Sequence, residues 1–224
     1  MDTRGREPSK TLSSDYRHVA RWLGPFLLTC TIYFLLWNFE DLPSPLSALL
    51  KCLPVLSLAV SLWGLSPGRG SSAVLPGALL CSAVGDICLV WPDAFLYGMA
   101  AFAAAHLLYL AAFGFSPLHP ATLLPIVLVC GPYYSFLLPH LPPDMALPMA
   151  AYALLLVTVL WRGLVQGGSA GLGALLFTIS DAVLAWDTFA QPLPYAPLVV
   201  MTTYYAAQAL ITLSAVSGPR SKTN

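Results

Sequence analysis

Two aspartates, Asp86 and Asp181, each lie inside an apolar stretch, and the two stretches resemble each other. Residues 77–91 read GALLCSAVGDICLVW, and residues 173–186 read GALLFTISDAVLAW. In both copies a small residue precedes the Asp, and a Leu and a Trp follow it at the same spacing. A carboxylate in hydrocarbon costs several kcal/mol, so an acid within a membrane span is a candidate functional residue. Two acids at equivalent positions indicate a duplicated element whose halves meet around one polar site.

The chemistry open to such a pair is proton transfer. Two carboxyl groups in a shared low-dielectric site can differ in protonation, so that one donates a proton while the other stays ionised. This arrangement suits reactions through an oxocarbenium-like cation, such as acetal or enol-ether hydrolysis. One Gly-x-Ser-x-Gly sequence is present, from Gly167 to Gly171, but it lies in a short connection between two apolar stretches of helical length. The serine-hydrolase motif belongs to a turn from a strand to a helix, so a serine hydrolase is less favoured. A zinc hydrolase with His106, Asp86 and Asp181 as ligands is an alternative, although no His-x-x-x-His pattern is present.

Other polar side chains fall within apolar stretches and are candidates to line the same cavity. Depth can be estimated from the non-cytoplasmic end of each predicted span, at 1.5 Å per helical residue. On this measure Lys51 and Asp86 lie roughly 8 Å from that end, and Asp181 lies roughly 13 Å from it. The further candidates, treated as substrate-binding residues, are Lys51, His106, Tyr109, Ser180, Tyr204, Tyr205 and Gln208. Each also has a structural interpretation. Lys51 could extend to the membrane surface, the Tyr pair could belong to an aromatic belt, and Gln208 could bridge helices.

The composition is that of a polytopic membrane protein. Of its 224 residues, 58% are hydrophobic and only 9% are charged, and the mean hydropathy is +0.74. A soluble domain has about a quarter of its residues charged. The formal net charge is zero, so no basic surface points to nucleic acid.

The apolar blocks predict an all-α fold of eight transmembrane helices. A bilayer core takes about 20 apolar residues in a helix. On that measure the predicted spans are 22–39, 46–65, 73–91, 95–115, 122–138, 145–162, 171–190 and 197–216. Residues 1–20 and 218–224 are predicted to be flexible tails on either side of one membrane domain, 21–217.

The distribution of cations predicts the orientation. With eight spans, nine Lys and Arg residues fall on one side, and the opposite loops carry acids and no Lys or Arg. The positive-inside rule therefore predicts that both termini are cytoplasmic. The third and seventh spans then run in the same direction, which makes the internal repeat a parallel one of four helices in each half.

The same residues give the chain a family resemblance: it resembles the YhhN-like lysoplasmalogenases, and their mammalian members most closely. The resemblance extends over essentially the whole membrane part, and this sequence has the family's residue at each of the following positions. The matching residues are Lys51-Cys-Leu-Pro54, Ser82 to Asp86 with Leu89, Gly98, Phe102, His106, Tyr109, Gly173-Ala, Phe177, Ser180-Asp181 with Leu184, Tyr204-Tyr205 and Gln208.

The resemblance implies an integral membrane hydrolase that cleaves the vinyl-ether bond of lysoplasmalogens. The products would be a fatty aldehyde and glycerophosphocholine or glycerophosphoethanolamine, formed without an organic cofactor, and no metal site is assigned. One of Asp86 and Asp181 would then act as acid, and the other would stabilise the cation and deprotonate water. Lys51 would bind the substrate phosphate or tune Asp86. His106, Tyr205 and Gln208 would position water or the glycerol hydroxyl.

Two other functional classes fit the residues. A proton-coupled small-molecule or lipid transporter would also use a repeat, a cavity and buried acids. A structural or receptor-like protein is less favoured, because the short loops offer little surface to partners. The roughly 20 polar and basic residues before the first span are unlike a signal peptide, so this span is expected to remain uncleaved. Together with the resemblance, this predicts a multi-pass protein of the endoplasmic reticulum membrane. A homodimer is compatible with the resemblance, which does not determine the oligomeric state.

Overall fold

The computed structural model describes residues 23–36, 43–65 and 74–217, and these ranges fold as α-helices without a β-strand. The helices are α1 (Leu23–Leu36), α2 (Pro45–Leu65), α3 (Val74–Cys88), α4 (Phe95–Phe113), α5 (Leu123–Leu137), α6 (Ala146–Gln166), α7 (Gly168–Phe189) and α8 (Ala196–Ser217). The all-α prediction is therefore confirmed for the described part of the chain. The predicted tails, 1–20 and 218–224, lie outside it.

Six of these helices, α2 and α4 to α8, are long and apolar enough to cross a membrane. The protein is thus a multi-pass membrane protein. The other two described helices are shorter apolar segments, with 14 residues in α1 and 15 in α3. The prediction of eight full spans is not met by this measure. Part of the first predicted span, residues 22 and 37–39, lies outside the described ranges.

Helix α3 is shorter than the predicted span 73–91 because the chain changes conformation before a proline. The residue before a proline is driven out of the helical region by the proline ring. Trp91 has extended dihedral angles of −105° and 122°, and a short 3₁₀ helix follows at Pro92–Ala94. Helix α3 therefore ends at Cys88, soon after its aspartate.

The connection between α6 and α7 is a single residue, Gly167. Its φ of +73° lies in a region that side-chain-bearing residues rarely adopt. Because α7 begins at Gly168, it starts earlier than the predicted residue 171. The tight turn holds α6 and α7 as an antiparallel pair, which fixes the relative heights of their side chains.

The helices pack in two similar groups. Helix α3 lies between α2 and α4, and α7 lies between α6 and α8. The groups meet where α4 contacts α6 and where α8 contacts α2 and α3. Each group therefore carries its aspartate on its middle helix. Helix α5 stands at the margin: it packs mainly on α6, and only Ile126 and Leu137 in it are buried.

Arg162, which the sequence marks only as a cation at the end of a span, is completely buried. Its Nε donates to the Gly114 carbonyl at 2.7 Å, and its Nη1 donates to the Pro117 carbonyl at 2.6 Å. Helix α6 continues beyond it to Gln166, four residues past the predicted end at 162. Arg162 thus ties the end of α6 to the loop after α4.

Candidate functional site

The first aspartate, Asp86, lies deep in the bundle on the buried face of α3. It is 2% exposed, and its Oδ2 accepts a hydrogen bond of 2.8 Å from the Tyr204 hydroxyl of α8. Lys51 of α2 lies near enough for its charge to attract the carboxylate. A cation and a hydroxyl donor both favour the ionised form of a carboxyl group.

A polar network extends from this point through the middle of the bundle. Tyr109 donates to Gln208 Oε1 at 2.5 Å, and the Ser82 hydroxyl lies 3.4 Å from the Tyr109 hydroxyl. These three residues are fully buried and join α3, α4 and α8. Gln208 lies one helical turn from Tyr204 on the same face of α8, so the network continues towards Asp86.

The second aspartate, Asp181, has a different neighbourhood. It is half-buried on α7, and its Oδ2 accepts a hydrogen bond of 2.5 Å from the Tyr152 hydroxyl of α6. Next to it, Tyr133 of α5 donates to the Ala182 carbonyl at 2.5 Å. The Tyr152 hydroxyl that donates to Asp181 carries no charge. Asp181 is therefore held by a neutral donor, whereas Asp86 also has Lys51 nearby.

An apolar cavity of about 590 Å³ lies between α4, α5, α6 and α7, with Asp181 in its wall. Asp86 and Lys51 do not line it. We expected both aspartates to face one cavity, but only Asp181 lines this one. Asp86 is turned away because its side chain follows the buried face of α3 towards α8.

A layer of aromatic rings lies between the two aspartates. Phe177 of α7 packs edge-on against Tyr204, with ring centroids 5.5 Å apart, and against His106 at 4.7 Å. His106 in turn lies 5.4 Å from Tyr152. The tyrosine that binds Asp86 and the tyrosine that binds Asp181 are thus linked through ring contacts.

His106 occupies the centre of this layer and is completely buried. Its Nδ1 is 2.6 Å from the Phe102 carbonyl, which can only accept a hydrogen bond, so Nδ1 carries the hydrogen. In the neutral imidazole, Nε2 is then an acceptor, and within the described ranges this atom has no hydrogen-bond partner. The Gln208 amide nitrogen is also buried and unpaired there.

Two of the predicted substrate-binding hydroxyls have backbone acceptors instead. Ser180 donates to the Val200 carbonyl at 3.0 Å, and Tyr205 donates to the Lys51 carbonyl at 2.8 Å. These bonds tie α7 to α8 and α8 to α2. Across the described ranges, no group of three His, Cys, Asp or Glu side chains lies close enough to hold a metal ion.

Sequence analysis did not single out Tyr152, the partner of Asp181. A signal was available, since Tyr152 stands among Ala and Leu residues in a predicted span that runs opposite to α7. Counted from the start of that span at 145, it lies roughly 10 Å deep, close to the depth given to Asp181. A depth comparison of all polar side chains would have paired the two.

Comparison with known proteins identifies the family of the chain. Residues 46–215, which contain both aspartates and their tyrosine partners, match the YhhN family. The chain belongs to the YhhN family. Among curated proteins, it is 66% identical over 206 residues to lysoplasmalogenase TMEM86B of Homo sapiens, covering 92% of this chain and 91% of that protein.

Two further relatives carry names of the same kind. Lysoplasmalogenase TMEM86B of Rattus norvegicus is 61% identical over 209 residues, with 93% of this chain and 90% of the relative covered. Lysoplasmalogenase TMEM86A of Bos taurus is 41% identical over 213 residues, with 87% and 88% covered. No solved structure is significantly similar to this YhhN-family protein.

Proposed function

We propose that this YhhN-family protein is a membrane hydrolase that cleaves the vinyl-ether bond of lysoplasmalogens. The products would be a fatty aldehyde and glycerophosphocholine or glycerophosphoethanolamine. The observation that carries the proposal is the carboxyl group of Asp181 in the wall of a large apolar cavity. Relatives that are 66% and 61% identical over most of their length are named lysoplasmalogenases, which supports the substrate.

Asp181 is assigned the role of the acid. Its Oδ2 is occupied by the Tyr152 hydroxyl, so its second oxygen can carry the proton towards the cavity. The proton is transferred to the double-bond carbon distal to the ether oxygen, which leaves an oxocarbenium ion. Water adds to the cation and gives up a proton, and the hemiacetal collapses to the aldehyde and the glycerol hydroxyl. The carboxylate left on Asp181 stabilises the cation and takes the proton from water.

Asp86 is assigned the role of the ionised carboxylate. Lys51 and Tyr204 favour its charged form against the cost of its burial, and the ring layer separates it from the cavity. A negative charge in a low-dielectric region stabilises a cation even without direct contact. In this assignment, Lys51 maintains the charge of Asp86 rather than binding the substrate phosphate.

His106 and Gln208 do not line the cavity themselves, and they are assigned to holding a water behind its wall. His106 Nε2 offers a lone pair and the Gln208 amide offers a hydrogen, and both are buried without a partner in the described part of the chain. Tyr109 orients Gln208 through its hydrogen bond. Ser180 and Tyr205 hold the helices around the site.

The topology and location stay proposals as well. We place eight spans in the membrane domain, 21–217, with both termini cytoplasmic and a parallel repeat of four helices in each half. The middle position of the aspartate helix in each group supports the repeat. The residence of the protein in the endoplasmic reticulum membrane follows from its proposed substrate class.

The test replaces each acid with its neutral isostere in purified protein in detergent and measures aldehyde release from a lysoplasmalogen. We expect Asp181→Asn to lower the rate by about 10²–10⁴-fold, the usual contribution of general acid–base catalysis. Asp86→Asn should cause a smaller loss. The matched control is Asp93→Asn, which changes an exposed loop carboxylate.

Near-normal aldehyde release by folded Asp181→Asn protein would refute the assignment. Wild-type protein that releases no aldehyde in detergent, yet moves lipid or protons across sealed vesicles, would favour the transporter instead. Loss of activity on chelation would favour the metal-dependent alternative.

A further inference from the structure

The cavity beside Asp181 is strongly asymmetric along the bundle. On α6, the residues that line it run from Met149 to Leu164, and Tyr152 marks the height of the aspartate. Met149 lies three positions before Tyr152, and Leu164 lies twelve positions after it. At 1.5 Å per residue, the cavity extends about 4.5 Å on one side of Asp181 and about 18 Å on the other. We call the second part, from Tyr152 to Leu164 along α6, the long arm.

The opposite wall gives a similar length. On α5, Tyr133 lies beside the aspartate helix at Ala182, and the lining continues to Thr122, which immediately precedes α5 and is eleven positions from Tyr133. That separation corresponds to about 16.5 Å in helix. The lining of α5 and α6 therefore indicates an elongated apolar space of about 16–18 Å, slightly more than half of a bilayer core of roughly 30 Å.

The long arm offers a ligand almost no polar contact. Its hydroxyls donate to carbonyls within their own helical turns, Thr178 to Ala174 at 2.9 Å and Thr122 to His119 at 2.8 Å. The rest of its lining consists mainly of Leu, Ile, Val and Ala side chains. An unbranched hydrocarbon chain fits such walls, whereas a sugar, a phosphate or an amine would lose its hydration without compensation.

We propose that the long arm holds the alkenyl chain of the substrate and limits its length, with the vinyl ether at Asp181. This inference rests on the function proposed above. The length of the arm matches a lipid chain, because one leaflet of a bilayer core of roughly 30 Å gives a chain about 15 Å. The glycerophospho head group then lies on the short side, towards Met149. The end of the arm at Leu164 sets the longest chain that fits.

The test shortens the arm at two heights. Leu156 lies four residues from Tyr152 in the direction of Leu164, about 6 Å along the long arm, and Leu164 lies at its far end. Leu156→Trp should leave hydrolysis of chains spanning less than about 6 Å intact and lower kcat/KM for full-length chains at least tenfold. Each methylene excluded from the cavity lowers binding roughly fourfold. Leu164→Trp should affect only the longest chains.

The matched control is Leu154→Trp, because Leu154 is on the same helix, is 70% exposed and does not line the cavity. We expect it to leave the chain-length profile unchanged. An equal loss for short and long chains in Leu156→Trp, or no loss for either, would overturn the inference. The short-chain activity separates the two proposals, since failure of the proposed function abolishes hydrolysis of every chain length.

A second measurement uses wild-type protein and does not depend on the folding of a variant. A saturated alkyl-ether lysophospholipid with a photoreactive group at the end of its chain cannot be hydrolysed but should bind. Irradiation should label α5 and α6 near Thr122, Leu160 and Leu164. Labelling confined to exposed residues such as Leu154 would contradict the proposed position of the chain.

Discussion

Removing the hydroxyl of Tyr152 perturbs Asp181 without touching the carboxyl group itself. Tyr152→Phe deletes the 2.5 Å hydrogen bond and preserves the ring that packs against His106. In the proposed mechanism, this bond fixes the orientation of the acid towards the cavity. Its loss should lower the rate of hydrolysis while the bundle stays folded.

The size of the effect follows from the charge of the acceptor. A hydrogen bond between neutral groups contributes about 1 kcal/mol, and one to a charged group contributes about 1.5–3 kcal/mol. With 1.36 kcal/mol per tenfold change in rate, these values correspond to about fivefold and to roughly 10–150-fold. Because the proposal makes Asp181 a protonated acid, we expect a fall in kcat of about fivefold.

The assay measures aldehyde release under saturating substrate in detergent, with thermal unfolding of each variant as the folding check. Tyr97→Phe is the control, since Tyr97 is 72% exposed on α4 and lies outside the site. A folded Tyr152→Phe variant with unchanged kcat would refute the role given to this bond. A loss well above tenfold would refute the neutral state of Asp181 and would indicate an ionised carboxylate.

Two further predictions concern the packing that holds the site. Gly85→Ala would place a Cβ atom 2.6 Å from the Phe102 ring, so we expect overpacking to lower the free energy of unfolding by about 1–3 kcal/mol. The control in thermal unfolding is Gly24→Ala, because no atom lies within 4 Å of the Cβ position there. Equal stability of the two variants would contradict the predicted overpacking at Gly85. In Arg162→Lys, the ammonium group cannot donate to both the Gly114 and Pro117 carbonyls as the planar guanidinium group does. We therefore expect the free energy of unfolding to fall by about 2 kcal/mol. A variant as stable as the wild-type protein would show that the two hydrogen bonds contribute little.

Much of the fold could be predicted from the sequence, because a membrane limits the structures that a chain can adopt. Backbone polar groups in hydrocarbon must bond within the chain, so long apolar stretches become helices. The predicted bounds of α2, α4, α5 and α8 therefore fall within two residues of the observed ones. The bounds of α3 and α7 differ more because local conformation at Pro92 and Gly167 decides them, and hydropathy does not report it.

The sequence alone determined which two aspartates matter, their apolar surroundings and their places in a repeated stretch. A carboxyl group within an apolar span costs free energy and is therefore rare, so it stands out in the sequence. The tertiary structure decided what each acid faces. Asp181 lines a long apolar cavity and binds Tyr152, whereas Asp86 lies near Lys51 and binds Tyr204. This difference depends on the rotation of α3 and α7 about their axes. Contacts between distant helices set that rotation, and a nearly uniform apolar sequence does not encode it in any local pattern.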